Sequence, residues 1–215
     1  ITSLPENLSI NSYAWHPTKS LAVIASNDYS MYLLDTNTLT SSLLKTGEHT
    51  VVWPAFANDG NSIYFGSDFA GDWQLWSLEL VNNEINQITQ FGGYRAQPTS
   101  ELNELIFTKY QQKGLWKYNL STGDELQFTY GNYKNDDFVV CQDQLFHIKK
   151  TSKSQLWQTP IDQTALDRKP ERLITELPRN AQLRFSLDAS CSELTYSSWQ
   201  NVSTDVMMLK LDNKL

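Results

Sequence analysis

The stretch PAFANDGNSIYFGSDFAGDWQLWSLEL, residues 54–80, carries the reading of the fold. Phe56 closes a short strand, and Asn58-Asp59-Gly60 is a hairpin turn, because such a turn needs positive φ and glycine supplies it cheaply. Ile63 and Phe65 begin the next strand, and residues 67–71 make a second turn. Beyond it Trp73, Leu75, Ser77 and Glu79 alternate with Gln74, Trp76, Leu78 and Leu80, the period of a strand with two different faces.

The same layout recurs along the chain. It precedes this copy at AWHPTKSLAVIASNDYSMYLLD (14–35) and follows it at AQPTSELNELIFTKYQQKGLWKYNL (96–120). Further copies are DDFVVCQDQLFHIKKTSKSQLWQTPI (136–161) and LRFSLDASCSELTYSSWQNVSTDVMMLKL (183–211). The anchors Trp15, Phe56, Pro98, Phe138 and Phe185 are spaced by 41, 42, 40 and 47 residues, the last step lengthened by the loop around Pro170 and Pro178. Between copies sits a fourth short strand: TSSLLKTG, EINQITQFG, DELQFTYG and ERLITELP. Four antiparallel strands in about forty residues is the unit of a β-propeller blade.

The ends fit this scheme. ITSLPEN at 1–7 repeats five of the seven letters of ITELPRN at 174–180, which is the outermost strand and exit turn of the fourth blade. Residues 1–4 therefore read as an outermost strand without its own blade, and the fifth blade lacks a fourth strand. The expectation is an all-β, five-bladed propeller in one domain, closed by the N-terminal strand pairing beside 205–211, so that no sheet edge stays open. Its blades span about 7–47, 48–93, 94–134, 135–180, and 181–215 with 1–5. The alternative is part of a propeller with six or more blades.

Composition narrows the function. A net charge of −7 with scattered lysines and arginines offers no phosphate-binding stripe, so nucleic acid is not an expected partner. No apolar run approaches the roughly 18 residues of a membrane helix, so the domain itself is not expected to touch a membrane. The polar, prolyl N-terminus is unlike a signal peptide; for work outside the cytoplasm, the exporting segment is not among these residues.

The chemistry sought in the sequence is sparse. His16, His49 and His147 stand far apart without metal-ligand spacing, so no metal and no cofactor are expected. There is no GxSxG elbow and no glycine-rich phosphate loop. Asp68 and Asp72 flank a turn too poor in ligands for calcium. Trp73, Trp76, Trp116 and Trp157 recur at matching places in third strands and read as packing between blades. Cys141 and Cys191 fall near first-hairpin turns of neighbouring blades; two free thiols are expected, because such hairpins usually splay apart, with one disulfide outside the cytoplasm as the alternative.

Funnel-lining positions lie at the start of each innermost strand. They are Tyr13, Trp53, Arg95 with Gln97, Asp136 with Asp137, and Gln182 with Arg184. Only one blade supplies carboxylates, whereas a glycosidase needs two at a defined separation. Tyr13, Trp53, Arg95, Asp137 and Arg184 instead offer stacking, two cations and an anion, a mouth suited to a protein or a small polar ligand. A solvated ring of salt bridges is the competing reading.

WHPTKSLAVIAS (15–26) and FANDGNSIYFGSDFAGDWQLWSLEL (56–80) resemble the repeat of TolB-like propellers, whose blades run aromatic-Ser-Pro-Asp-Gly-Lys, strand, turn, strand. The second blade matches closely; the first has Thr18-Lys19 where Asp-Gly is usual, and the others are degenerate. The ending LTYSSWQNVSTDVMMLKL (194–211) resembles the C-terminal end of CadC/ToxR-like regulators, whose winged helix and membrane span precede a periplasmic propeller. These resemblances imply a non-enzymatic periplasmic sensor domain of a membrane-anchored regulator. The alternatives are a TolB-like interaction scaffold, and a five-bladed glycosidase or peptidase-associated propeller.

Overall fold

A computed structural model describes residues 4–6, 8–45, 47–101, 103–129, 138–150, 154–161, 171–178, 181–188, 190–200 and 203–211. Every regular element among them is a strand, and no helix is long and apolar enough to cross a membrane. The strands form five antiparallel sheets in succession, the blades of a five-bladed β-propeller. The first three belong to one compact unit, residues 1–129, and the last two to a second, residues 130–215.

In the first unit, blade one is β1 (Ile10–Trp15), β2 (Leu21–Ser26), β3 (Met31–Asp35) and β4 (Thr40–Lys45). Blade two is β5 (Val51–Phe56), β6 (Ser62–Ser67), β7 (Gln74–Glu79) and β8 (Ile85–Gln87). Blade three is β9 (Arg95–Pro98), β10 (Glu104–Thr108), β11 (Leu115–Asn119) and β12 (Glu125–Thr129). Each blade pairs in chain order, and the first strands β1, β5 and β9 lie side by side.

Alternation decides what packs where. Ile63 and Phe65 of β6 point into a cluster with Val23, Met31 and Phe56 that joins blades one and two. Leu75 of β7 joins Ala96, Leu105, Phe107 and Trp116 between blades two and three. Phe65 and Phe107 are fully buried, and truncating either to Ala would cost about 3–5 kcal/mol.

The turn phrases are local hydrogen-bonded devices. At Gly60, φ is +72°, and an added Cβ would lie 2.2 Å from His16 Nε2, so the turn of blade two nests against the turn of blade one. His16 works locally too: its Nδ1 accepts the N–H groups of Thr18 and Lys19, at 3.1 and 3.0 Å. In blade one it thus organises the turn that Asp59 organises in blade two, where Oδ1 accepts the Asn61 N–H at 2.9 Å. That explains how a blade without Asp-Gly still turns.

In the second unit, blade four is β13 (Phe138–Cys141), β14 (Gln144–Lys150), β15 (Ser154–Pro160) and β16 (Arg172–Leu177). Blade five shows β17 (Ala181–Leu187), β18 (Glu193–Gln200) and β19 (Ser203–Lys210). Phe146, Ile148, Leu156, Phe185, Leu194 and Leu211 close a common core. The expected closing strand at 1–4 falls, except for Leu4, outside the described residues.

One expectation is overturned: Cys141 and Cys191 are not free thiols but a disulfide, with Cα atoms 6.0 Å apart. The two hairpins do not splay because the turn after β17 is drawn in. The Asp188 carboxylate, hydrogen-bonded by the Ser190 hydroxyl and by the N–H groups of Glu193, Ser190 and Ser192, is held down at about 2. That turn places Cys191 at φ 59° and turns its sulfur into the shared core beside β13.

Candidate functional site

The mouth residues of the first unit converge through an irregularity in β5. Val52 lies opposite Gly66 and Ala55 opposite Tyr64, so Trp53-Pro54 carries one extra residue, a β-bulge. Proline cannot donate to the ladder, which favours the bulge at this point. Trp53 adopts φ 52°, a conformation that costs a bulky side chain about 1–3 kcal/mol. Its N–H, freed from the ladder, donates to Ser12 Oγ of β1 at 2.9 Å. That bond ties the strained residue to the neighbouring blade.

The bulge re-aims the indole toward blade three, where the Arg95 guanidinium lies over the ring at 4.8 Å. Arg95 opens β9 opposite Thr108 and is only 8% exposed. A guanidinium keeps its charge on burial and carries five N–H donors, so stacking on an aromatic face suits it better than a lysine. A desolvated cation–π contact is worth about 2 kcal/mol. Trp53 thus links three first strands: its own backbone in β5, Ser12 in β1, and Arg95 in β9.

The other expected mouth residues fare differently. Tyr13 is 63% exposed, and its ring meets Trp15 of its own strand edge-on, centroids 6.4 Å apart. Asp136 and Asp137 lie outside the described residues. Gln182 and Arg184 belong to β17 in the second unit, and their side chains lie outside the described part. Among the described residues, Trp53 and Arg95 are expected mouth residues that the structure brings into contact. Ser12 and the bulge escaped the sequence reading, although VVWPAF, with Pro in mid-strand, is a visible bulge signal.

The remaining candidates have local roles. Asp68 Oδ1 accepts the Thr50 N–H at 2.9 Å and lies 3.8 Å from His49 Nδ1. Among the described residues, no group of three or more His, Cys, Asp or Glu side chains is placed to hold a metal. Trp76 packs against the cluster that joins blades one and two, and Trp116 joins Leu75 in the cluster between blades two and three, as packing between blades requires. Trp73 differs: its ring meets Tyr94, the residue before Arg95, at 4.8 Å, and Tyr110 at 5.4 Å.

No family model matches the chain. An uncharacterized protein of Agrobacterium fabrum is 25% identical over 112 residues, which is 50% of this chain and 38% of that protein. TolB from Acinetobacter baumannii superposes with a TM-score of 0.80 at 16% identity, covering 97% of this chain and 53% of its own. A putative TolB from Agrobacterium tumefaciens gives 0.78 at 14% identity, covering 95% of this chain and 78% of its own. An oligogalacturonate lyase gives 0.60 at 11% identity, covering 84% and 56%. These likenesses show the propeller fold. The chain spans about half the length of the first TolB structure and less than half of the sequence relative.

Proposed function

We propose that this chain is a non-enzymatic interaction propeller of the TolB kind, which docks a protein partner at the Trp53–Arg95 end of its first strands and works in the periplasm. The observation that carries the docking reading is the buried guanidinium stacked on a strained, bulged tryptophan. A bulge held at a conformational cost, with its N–H tied to the next blade, is what a site needs to keep one side-chain geometry ready. The disulfide supports an oxidising compartment, since such bonds persist outside the cytoplasm. The regulator-domain reading rests on the ending alone, which forms the β18–β19 hairpin. The TolB structures resemble nearly the whole chain, so the scaffold reading takes first place.

The test is affinity capture from a periplasmic extract with the purified chain and its Arg95→Lys variant. The substitution keeps the charge and removes the planar stack. The expected result is a specific partner whose affinity falls by about 1–3 kcal/mol in the variant, which, having lost a buried stack worth about 2 kcal/mol, melts somewhat lower but stays folded at the assay temperature. The same partner retained equally by both proteins, or turnover of glycosides or peptides by the purified chain, refutes the reading.

A further inference from the structure

A second feature of the first unit lies outside the Trp53–Arg95 contact. The connections β6–β7, β8–β9 and β10–β11 emerge at one end of the unit and border an open surface pocket of about 290 Å³. Asp72, Trp73, Gln90, Phe91, Tyr110 and Gln112 line it.

The walls are built rigidly. Gln74, buried at the start of β7, accepts the Thr89 hydroxyl at 2.9 Å and the Gly92 N–H at 3.0 Å through one oxygen. Its amide nitrogen donates to the Gln90 carbonyl at 3.3 Å. One buried side chain thus ties three positions of the β8–β9 connection, which nevertheless presents Phe91 78% exposed. Opposite, Trp73, Tyr94 and Tyr110 pack mutually with centroids 4.8 to 5.4 Å apart, leaving Tyr110 41% exposed. Blade packing does not require either exposed ring. Both sit on connections, beyond the ends of the strands.

The chemistry of the lining selects a ligand class. It includes no cation, and Lys109, whose stem passes Gly92, is ion-paired with Glu125. A phosphate or carboxylate would therefore meet Asp72 without a counter-charge. A hydrocarbon would strip water from Asp72, Gln90 and Gln112 and return no hydrogen bond. A hydroxyl-rich ring satisfies all of them. Its C–H face lies against the electron-rich aromatic faces, and its hydroxyls can both donate to the carboxylate and exchange hydrogen bonds with the two amides, which each donate and accept.

We propose that this pocket binds a neutral saccharide. Its volume, at the small end of the roughly 300–1,000 Å³ range of ligand sites, admits about one or two pyranose rings.

The test is isothermal titration calorimetry and saturation-transfer NMR on the full chain with maltose, cellobiose, lactose and N,N′-diacetylchitobiose. At least one disaccharide is expected to bind, and Phe91→Ala and Tyr110→Ala are each expected to weaken it about threefold to tenfold. Phe91 is mostly solvated, so its variant should keep the parent melting temperature and isolates binding from folding. Arg95→Lys should leave the saccharide affinity unchanged, which separates this site from the partner-docking reading. Four outcomes overturn the proposal: no disaccharide binds, binding survives the Phe91→Ala/Tyr110→Ala double variant, Arg95→Lys abolishes it, or choline binds more tightly than every saccharide. The last would make the rings and Asp72 a cation cage.

Discussion

Reducing the Cys141–Cys191 bond should loosen the second unit by an amount set by chain length. The bond closes a loop of 50 residues, and the chain-entropy relation for a loop of that size gives about 4 kcal/mol. Reduction is the cleaner perturbation, because the thiols keep the volume of the buried Cys191 within the core of Phe146, Phe185 and Leu194. A Cys141→Ser/Cys191→Ser variant should lose slightly more, since it adds a hydroxyl to that core. Guanidinium unfolding with and without reductant gives the difference. Hydrogen exchange read by mass spectrometry should place the lost protection in β13, β14, β17 and β18. A difference below about 1 kcal/mol refutes the entropic argument. Two titratable thiols after refolding in oxidising glutathione would refute the bond itself.

A pH dependence should arise in the same unit. His147 is fully buried, and burial, with Lys149 adding to it against Glu171, brings its imidazole down from 6.5 to about 4. The unfolded chain takes up this proton first, so the contribution is complete above about pH 6.5 and is lost as pH falls toward 4, about 3 kcal/mol in all. Chemical denaturation across that range should show the slope, and His147→Gln should flatten it; an unchanged slope means another group is responsible. Gly66→Ala should lower the melting temperature, because its Cβ would lie 2.0 Å from the Tyr94 carbonyl oxygen, a backbone atom that can give way only by moving the β8–β9 connection. A cost of about 1–3 kcal/mol is expected from such overpacking, with saccharide affinity falling in parallel; a parent-like melt shows that the blades can part freely.

What was legible in the chain was local. Asn58-Asp59-Gly60, the alternation of Ile63 and Phe65, and the return of the same layout every forty-odd residues specify hairpins and faces through neighbours two to five positions apart. Those signals survive even in blade one, where Thr18-Lys19 stands at the usual Asp-Gly position and His16, two residues earlier, accepts the turn's backbone N–H groups instead. Trp53 and Arg95 were legible as first-strand residues for the same reason, since each stands near the start of its strand.

Partnership across blades was decided only by the tertiary structure. Cys141 and Cys191 are 50 residues apart, and neither residue's surroundings in the chain say that the Asp188 turn draws one sulfur onto the other. The contact between Trp53 and Arg95 forms at a bulge in β5, and one inserted residue exchanges the two faces of a strand beyond it. The pocket at Trp73, Phe91 and Tyr110 is assembled from three connections, each a plain loop when read alone. Hairpins follow from short-range periodicity, whereas sites follow from how separately specified loops meet, and the physical reason is that the meeting is set by packing between sheets, to which each strand contributes only one face.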